Sequence, residues 1–125
     1  MDGERVLLAH RHPARRRYPD CWDVPGGHVE DGEAAASALV RELSEELGIT
    51  IAPPSPEPRY RLVGDGHDLD LWVVRTWSGS IHNRAPEEHD DLRWFEAGDV
   101  AQLPLGHERY PELIAEVLAT GNTAR

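Results

Sequence analysis

The sequence predicts a single α/β (α+β) domain, residues 1–125, with a mixed β-sheet, and three observations carry that expectation. A chain of 125 residues is long enough for one core and too short for two comfortable ones. Its 39% hydrophobic and 29% charged content is that of an ordinary globular protein. Short apolar runs of strand character also interleave with two segments of helical periodicity, the pattern of a sheet packed against helices.

The elements follow in order. ERVLLAHR, beginning at Glu4, is an apolar run suited to a buried strand. HPARRRYPD, with two prolines and three consecutive arginines, is a loop. CWDVPGGHVEDGE reads as a brief strand around Trp22 and Val24, interrupted at Pro25-Gly26-Gly27 and turned through Asp31-Gly32 into a helix. From about Glu33 to Leu47, good helix formers place Ala36, Leu39, Val40, Leu43 and Leu47 on one buried face. Gly48 stands where a C-terminal cap belongs.

APPSPEP has four prolines in seven residues and can hold neither a ladder nor a helix. RYRLVG and DLDLWVVRTWSG follow as strands, joined by GDGH as a hairpin turn. A polar loop then leads into a short strand from Leu92 to Phe95. HERYPELIAEVLAT closes the chain as a helix, with Pro111 in its first turn and Gly121 near its end.

Composition excludes several functions. The formal net charge is −10, and all 13 basic residues are arginine. With no lysine there is no Walker-type phosphate lysine and no Schiff-base lysine. The negative charge argues against duplex nucleic acid as a partner, because such binding relies on cations neutralising phosphates. No apolar run reaches the ~18 residues of a membrane span, so no membrane partner is expected, and the N-terminus lacks a signal-peptide pattern, which makes the cytoplasm the expected location. Cys21, the one cysteine, fits a reducing compartment and reads as small buried filler.

RELSEELGI, Arg41 to Ile49, poses the chemical question. Glu42, Glu45 and Glu46 share one sector of the helix, where like charges repel. At ~5 Å each pair would repel by roughly 3 kcal/mol at an effective dielectric of 20, and acids at a helix C-terminus also oppose the macrodipole. Arg41, four residues before Glu45, can relieve part of this. A hard divalent cation, Mg²⁺ or Mn²⁺, is the stronger remedy for clustered carboxylate oxygens. A plain solvated acidic face is the alternative.

The residues upstream complete a longer pattern. Gly27, Glu33, Arg41, Glu42, Leu43, Glu45, Glu46, Gly48 and Ile49 fill G-x5-E-x7-R-E-U-x-E-E-x-G-U, with U a bulky aliphatic residue. The sequence therefore resembles the Nudix hydrolases (MutT-like), and the preceding WDVPGGHVEDGE and the later DLRWF resemble the usual surroundings of that box. The resemblance implies a Nudix-type α/β/α sandwich and a Mg²⁺-dependent pyrophosphohydrolase acting on a nucleoside diphosphate linked to another group.

Carried over by position, it makes Glu42, Glu45 and Glu46 the metal-binding glutamates and the Gly26 carbonyl a backbone ligand. Arg41 would orient the glutamates, and Glu33 would brace loop and helix. One carboxylate not consumed as a ligand would be the general base; Glu42, Glu45, Glu46 and an acid of the late loop all remain open for that role.

In the late loop the pattern departs from relatives with N-x-E-P, for here the chain reads Asn83-Arg84-Ala85-Pro86. Glu88, or next Glu87, is the nearest replacement. Arg15, Arg16 and Arg17 suit phosphate oxygens by their guanidinium forks, and His28 could approach a base or ribose, as could His10 and His12. Trp72, Trp77 and Tyr60 read as packing aromatics that could also stack on a base.

Family members normally have a strand before the one equivalent to RVLLAHR. Only MDGE precedes it here, so the chain reads as short at its N-terminus. Either the start lies upstream, or another strand or a second subunit of a homodimer fills that edge. The expected substrate is a small nucleotide, a nucleoside triphosphate or small nucleoside diphosphate derivative. The rival expectation is a catalytically silent Nudix-fold binding or regulatory module, against which the intact box counts.

Overall fold

The computed structural model describes residue 1 and residues 4–12, 20–26, 29–63 and 68–123. Strands β1 (Arg5–Arg11) and β2 (Trp22–Asp23) precede helix α1 (Ala35–Leu47). Strands β3 (Tyr60–Val63), β4 (Asp68–Leu71) and β5 (His89–Glu96) follow, then helices α2 (Ala97–Val100) and α3 (Tyr110–Thr123). The expected α+β class is observed. The chain divides into two compact units, one of Met1–Pro25 with Ala85–Arg125, the other Gly26–Arg84.

In the first unit the sheet order is β2-β1-β5, both ladders antiparallel. β1 is central, as its run of buried residues from Val6 to Ala9 requires. It pairs with β5 along its whole length and with β2 at Ala9 and His10. β5 is longer than the expected Leu92–Phe95 because β1 offers it a partner from Arg5 to Arg11. The parallel pairing among the described residues is the single bridge Trp22–Leu105, so the mixed character expected of the sheet rests on that one contact. α3 packs on β1 and α2, burying Leu113, Ile114, Val117 and Leu118. It holds Pro111 in its first turn and runs through Gly121 to Thr123, past the expected stop.

β2 is only two residues long and needs help. On its outer side the Trp22 N–H donates to the Pro104 carbonyl at 2.8 Å and the Gly106 N–H to the Trp22 carbonyl at 3.0 Å. The Trp22 ring meets His10 and Phe95 edge-on, each at 4.9 Å between centroids. The Asp23 carboxylate accepts from the Tyr110 hydroxyl and the Val24 N–H, both at 2.8 Å. A Cβ at Gly106 would come within 2.8 Å of Asp23 Oδ2, so a side chain there would push on the carboxylate that Tyr110 and Val24 hold.

In the second unit, α1 starts at Ala35 rather than Glu33. Glu33 instead closes a turn: its N–H donates to the Glu30 carbonyl at 3.0 Å and its Oε1 accepts from the Glu30 N–H at 3.1 Å. Gly32 supplies the positive φ, 78°, that this turn needs at its third position. At the other end Gly48, φ 70°, caps the helix as expected, its N–H bonded to the Ser44 carbonyl at 3.1 Å.

β3 and β4 form an antiparallel hairpin from Tyr60–Leu71 to Val63–Asp68; the expected GDGH turn, 64–67, lies outside the described residues. β4 ends at Leu71, well before the end of the expected strand DLDLWVVRTWSG. Its partner strand gives way there to the segment 53–58, whose prolines have no N–H to donate. Among the described residues no helix is long and apolar enough to cross a membrane. Cys21 is buried and in no disulfide, as filler should be.

Burial holds the Asp23 carboxyl above its ordinary value, with the bonds from Tyr110 and Val24 opposing that rise; the Tyr110 phenol is pushed up by its own burial and by Asp23. Asp23→Ala strands the buried hydroxyl and should cost about 1–3 kcal/mol. Asp23→Asn keeps an oxygen acceptor without the charge and should match or exceed the parent at neutral pH. A raised folded value means the folded state holds more protons than the unfolded one in that window. Relative to Asp23→Asn, the parent should therefore gain stability as pH falls through the raised value, the gain being complete below 3.8. Urea unfolding of all three across pH tests this, and a flat difference between parent and Asn variant would refute it.

Candidate active site

The acidic residues of α1 sit in its last two turns, and the last turn contains no basic residue. The charge is relieved from within the helix by Arg41. Its Nε and Nη2 donate to Glu33 Oε2 and Oε1 at 2.9 and 3.0 Å, a two-pronged clasp. Its Nη1 donates to Glu42 Oε1 at 2.8 Å and Glu45 Oε2 at 3.1 Å, and Glu30 lies 3.7 Å away. Bonding to Arg41 holds the Glu33 carboxyl below its ordinary range, and the guanidinium binds its own proton more firmly in return. Glu33 thus does what a brace must, tying the turn at 30–33 to the helix eight residues on.

The expected accessible sector of three glutamates is divided. Glu45 is exposed, its side chain 60% accessible, whereas Glu46 is buried at 6%. Glu46 lies on the face of Leu43 and Leu47, and the buried set is Ala38, Leu43, Glu46 and Leu47. Ala36, Leu39 and Val40, assigned to the core stripe from the sequence, are only half-buried. The carboxylate oxygen Oε2 of Glu46 is enclosed and receives no hydrogen bond, although the residue is engaged elsewhere.

Among the described residues, no three His, Cys, Asp or Glu side chains converge closely enough to hold a metal ion. Arg41 is the reason on the Glu42 and Glu45 side, since both carboxylates are turned to its guanidinium. The donor set itself fits a hard divalent cation: carboxylate oxygens, one of them enclosed, with neither thiol nor imidazole among them. Gly26 belongs to the same unit and has φ 143°, a conformation a side chain would resist. Gly27, His28, Arg15, Arg16 and Arg17 lie outside the described residues.

Glu88 belongs to the other unit. It sits in a turn where its N–H and that of His89 donate to the Ala85 carbonyl at 2.9 and 3.1 Å, and its carbonyl accepts from the His12 N–H at 3.0 Å. Its side chain is half-buried, while Ala85 is buried. His10 bonds Asp90 at 2.6 Å, which holds the Asp90 carboxyl below its usual range. The Trp72 indole N–H donates to the Ser55 carbonyl at 2.8 Å, and the Arg59 guanidinium lies over the Tyr60 ring, so both aromatics have structural partners.

One group escaped the sequence reading. Residues 82–84 lie against the C-terminal end of α1, the His82 N–H donating to the Leu47 carbonyl at 3.1 Å and the Arg84 N–H to the Glu46 carbonyl at 2.8 Å. Contacts donated by backbone have no side-chain signature; the near match to N-x-E-P was the one available hint.

The family model of the NUDIX domain matches residues 1–117. The chain is 35% identical over 116 residues to a CTP pyrophosphohydrolase of Escherichia coli, covering 91% of this chain and 82% of that protein. It is 34% identical over a 128-residue alignment to an isopentenyl-diphosphate Delta-isomerase of Cereibacter sphaeroides, covering 95% and 72%. A third relative, the NAD-capped RNA hydrolase NudC of Stutzerimonas stutzeri, is 34% identical over 106 residues; these cover 82% of this chain and 36% of that longer protein. The solution structure of the E. coli ORF135 protein matches with a TM-score of 0.68 at 30% identity, covering 98% of this chain and 84% of that one.

Removing the hub should be visible by titration. In Arg41→Met the Glu33 carboxyl should rise toward its ordinary 4.5, followed by carbon-detected NMR. A depressed folded value gives stability that is present above 4.5 and lost as pH falls through the folded value. The parent's melting temperature should therefore fall more steeply on acidification than the variant's. Arg41→Lys, a point charge without the fork, should lie between them. Identical profiles would sever the link between Arg41 and Glu33.

Proposed function

The chain belongs to the Nudix family, and from that premise we propose that it is a Mg²⁺-dependent pyrophosphohydrolase of the cytoplasm, with Mn²⁺ as substitute metal. Its substrate in this reading is a nucleoside triphosphate or a small nucleoside diphosphate derivative; the name of the E. coli relative, a CTP pyrophosphohydrolase, favours the triphosphate. The observation that carries the reading is the acidic end of α1, where one arginine organises Glu33, Glu42 and Glu45 beside the enclosed carboxylate of Glu46.

Glu42, Glu45 and Glu46, with the Gly26 carbonyl, would hold the metal. When bound, the cation neutralises the pyrophosphate and lowers the pKa of an in-line water. Arg41 orients the glutamates, so that a carboxylate not consumed as a ligand receives the water's proton. Glu88 of the late loop is a further candidate for that proton. Arg15, Arg17 and His28 contact the substrate, the arginines through phosphate oxygens. The water oxygen bonds to one phosphorus, the bond from that phosphorus to the bridging oxygen breaks, and the other phosphate departs with that oxygen, so that one fragment is a nucleoside monophosphate and the other carries the remaining phosphate.

Hydrolysis of nucleoside triphosphates, ADP-ribose, NADH, nucleotide sugars and dinucleoside polyphosphates, with Mg²⁺ and with chelator, tests this. The similarity to an isomerase of isopentenyl diphosphate makes that compound a necessary member of the panel. The expected result is metal-dependent release of a nucleoside monophosphate from one class. Glu45→Gln and Glu46→Gln should each lower kcat by about 10²-fold or more, whether the carboxylate lost holds the metal or accepts the proton, while the folded state persists in chelator. Unchanged turnover in both variants would remove the assigned site. Isomerisation without hydrolysis would replace the proposed reaction.

A further inference from the structure

The last turn of a helix leaves its final carbonyls without intrahelical donors. In α1 that turn carries Glu45 and Glu46 and no base, so the macrodipole and its own side chains both favour fraying. The donors come from outside the helix. Gly48 and Ile49 serve the Ser44 and Leu43 carbonyls at 3.1 and 3.5 Å, His82 N–H serves Leu47 at 3.1 Å, and Arg84 N–H serves Glu46 at 2.8 Å. Arg84 Nη1 adds a long contact to the Ser44 carbonyl, 3.4 Å.

The segment that brings these donors is itself anchored. Thr50 and Ser78 exchange backbone bonds of 3.0 and 2.8 Å, and His82 Nδ1 bonds the Ser80 carbonyl at 2.9 Å. Its closest seat is on Gly48. A Cβ built there would overlap Cε1 of the His82 imidazole and stand 2.9 Å from both ring nitrogens. Gly48 therefore has two reasons to be glycine: its left-handed φ of 70° and the room it leaves for that ring.

We infer that residues 82–84 form a positioning strap, whose backbone N–H groups grip the last turn of α1 and so set the cation affinity of the Glu45 and Glu46 carboxylates, Gly48 leaving the room that lets the strap lie there. The inference rests on the metal-binding role proposed above for those glutamates. Carboxylate ligands must be held within about 0.5 Å of a productive position. A turn free to fray cannot do that, whereas one whose Glu46 and Leu47 carbonyls are gripped from outside can.

The test uses the whole protein with Mn²⁺ as probe, its dissociation constant read by calorimetry and by the electron spin resonance of free Mn²⁺. Gly48→Ala, which displaces the ring and with it the strap, should raise the dissociation constant about tenfold, the low end of losses on disturbing groups that orient metal ligands. His82→Ala alone should change it little. The double variant Gly48→Ala/His82→Ala keeps the strained backbone but removes the overlap, and should recover most of the lost affinity. Melting in chelator is followed in parallel. A double variant as weak as Gly48→Ala would assign the effect to backbone strain and overturn the strap. A lowered melting temperature with unchanged Mn²⁺ affinity would overturn it too, leaving only a structural contact. Absence of Mn²⁺ binding by the unaltered protein would overturn the metal reading itself, and the role of the strap with it.

Discussion

The guanidinium of Arg41 is the constraint on which the acidic end of α1 depends. Its planar fork presents one edge to both oxygens of Glu33 and leaves Nη1 for Glu42 and Glu45. An ammonium group has no such pair of parallel donors. Because the clasp reaches back eight residues, it also fixes the turn through Gly32 and determines where the helix can begin. Glu33, committed to Arg41 and to the Glu30 amide, is no longer available as a helical residue, and α1 starts at Ala35 behind an Ala34 that offers no side-chain cap. The start of the helix and the disposition of its acids are one arrangement.

A comparable tie operates in the other unit. A two-residue strand has little stability of its own, and isolated short pairings are marginal. β2 persists because the 104–106 segment pairs along its outer side and because Asp23 anchors it to Tyr110 at the start of α3. The tie has an electrostatic cost, since the carboxylate is stripped of water. Its hydrogen bonds offset that penalty only in part, which is why its proton affinity is raised and not lowered.

Much of this was legible in the sequence where the signal is periodic or tied to one residue type: β1, the body and cap of α1, the proline-rich loop, the start of α3. The Arg41–Glu45 contact was legible through spacing, and the bracing role of Glu33 through the resemblance, but not that Arg41 is the partner of Glu33. The early end of β4 was not, although the cause lay in plain view. Leu71 to Trp77 has strand composition, but a strand needs a partner with donors, and composition does not say that the partner is the proline segment. The burial of Glu46 was missed for a related reason. Periodicity marks a broad face, and which edge of it is pressed closed depends on packing, so Ala38 and Glu46 are buried while Ala36, Leu39 and Val40 are only partly so. The strap at 82–84 left only the near match to N-x-E-P, because its donors are backbone amides, which every sequence has.

The unequal exposure of the glutamates bears on how labour divides in the proposed reaction. A carboxylate buried to the degree of Glu46 has already lost most of its hydration, so giving its oxygen to a cation surrenders little further water. A base, by contrast, must be reached by the water it deprotonates and must shed the proton to solvent afterwards. Glu45, largely exposed and tethered to Arg41 by a single contact, meets that requirement with the least rearrangement. Glu42 is more enclosed and bonded to the same nitrogen at shorter range, which suits a fixed ligand better than a group that must move. Within one acidic cluster whose three carboxylates are all proposed to face the metal, burial therefore separates Glu46 and Glu42, the more enclosed, from Glu45, the one a reacting water can reach.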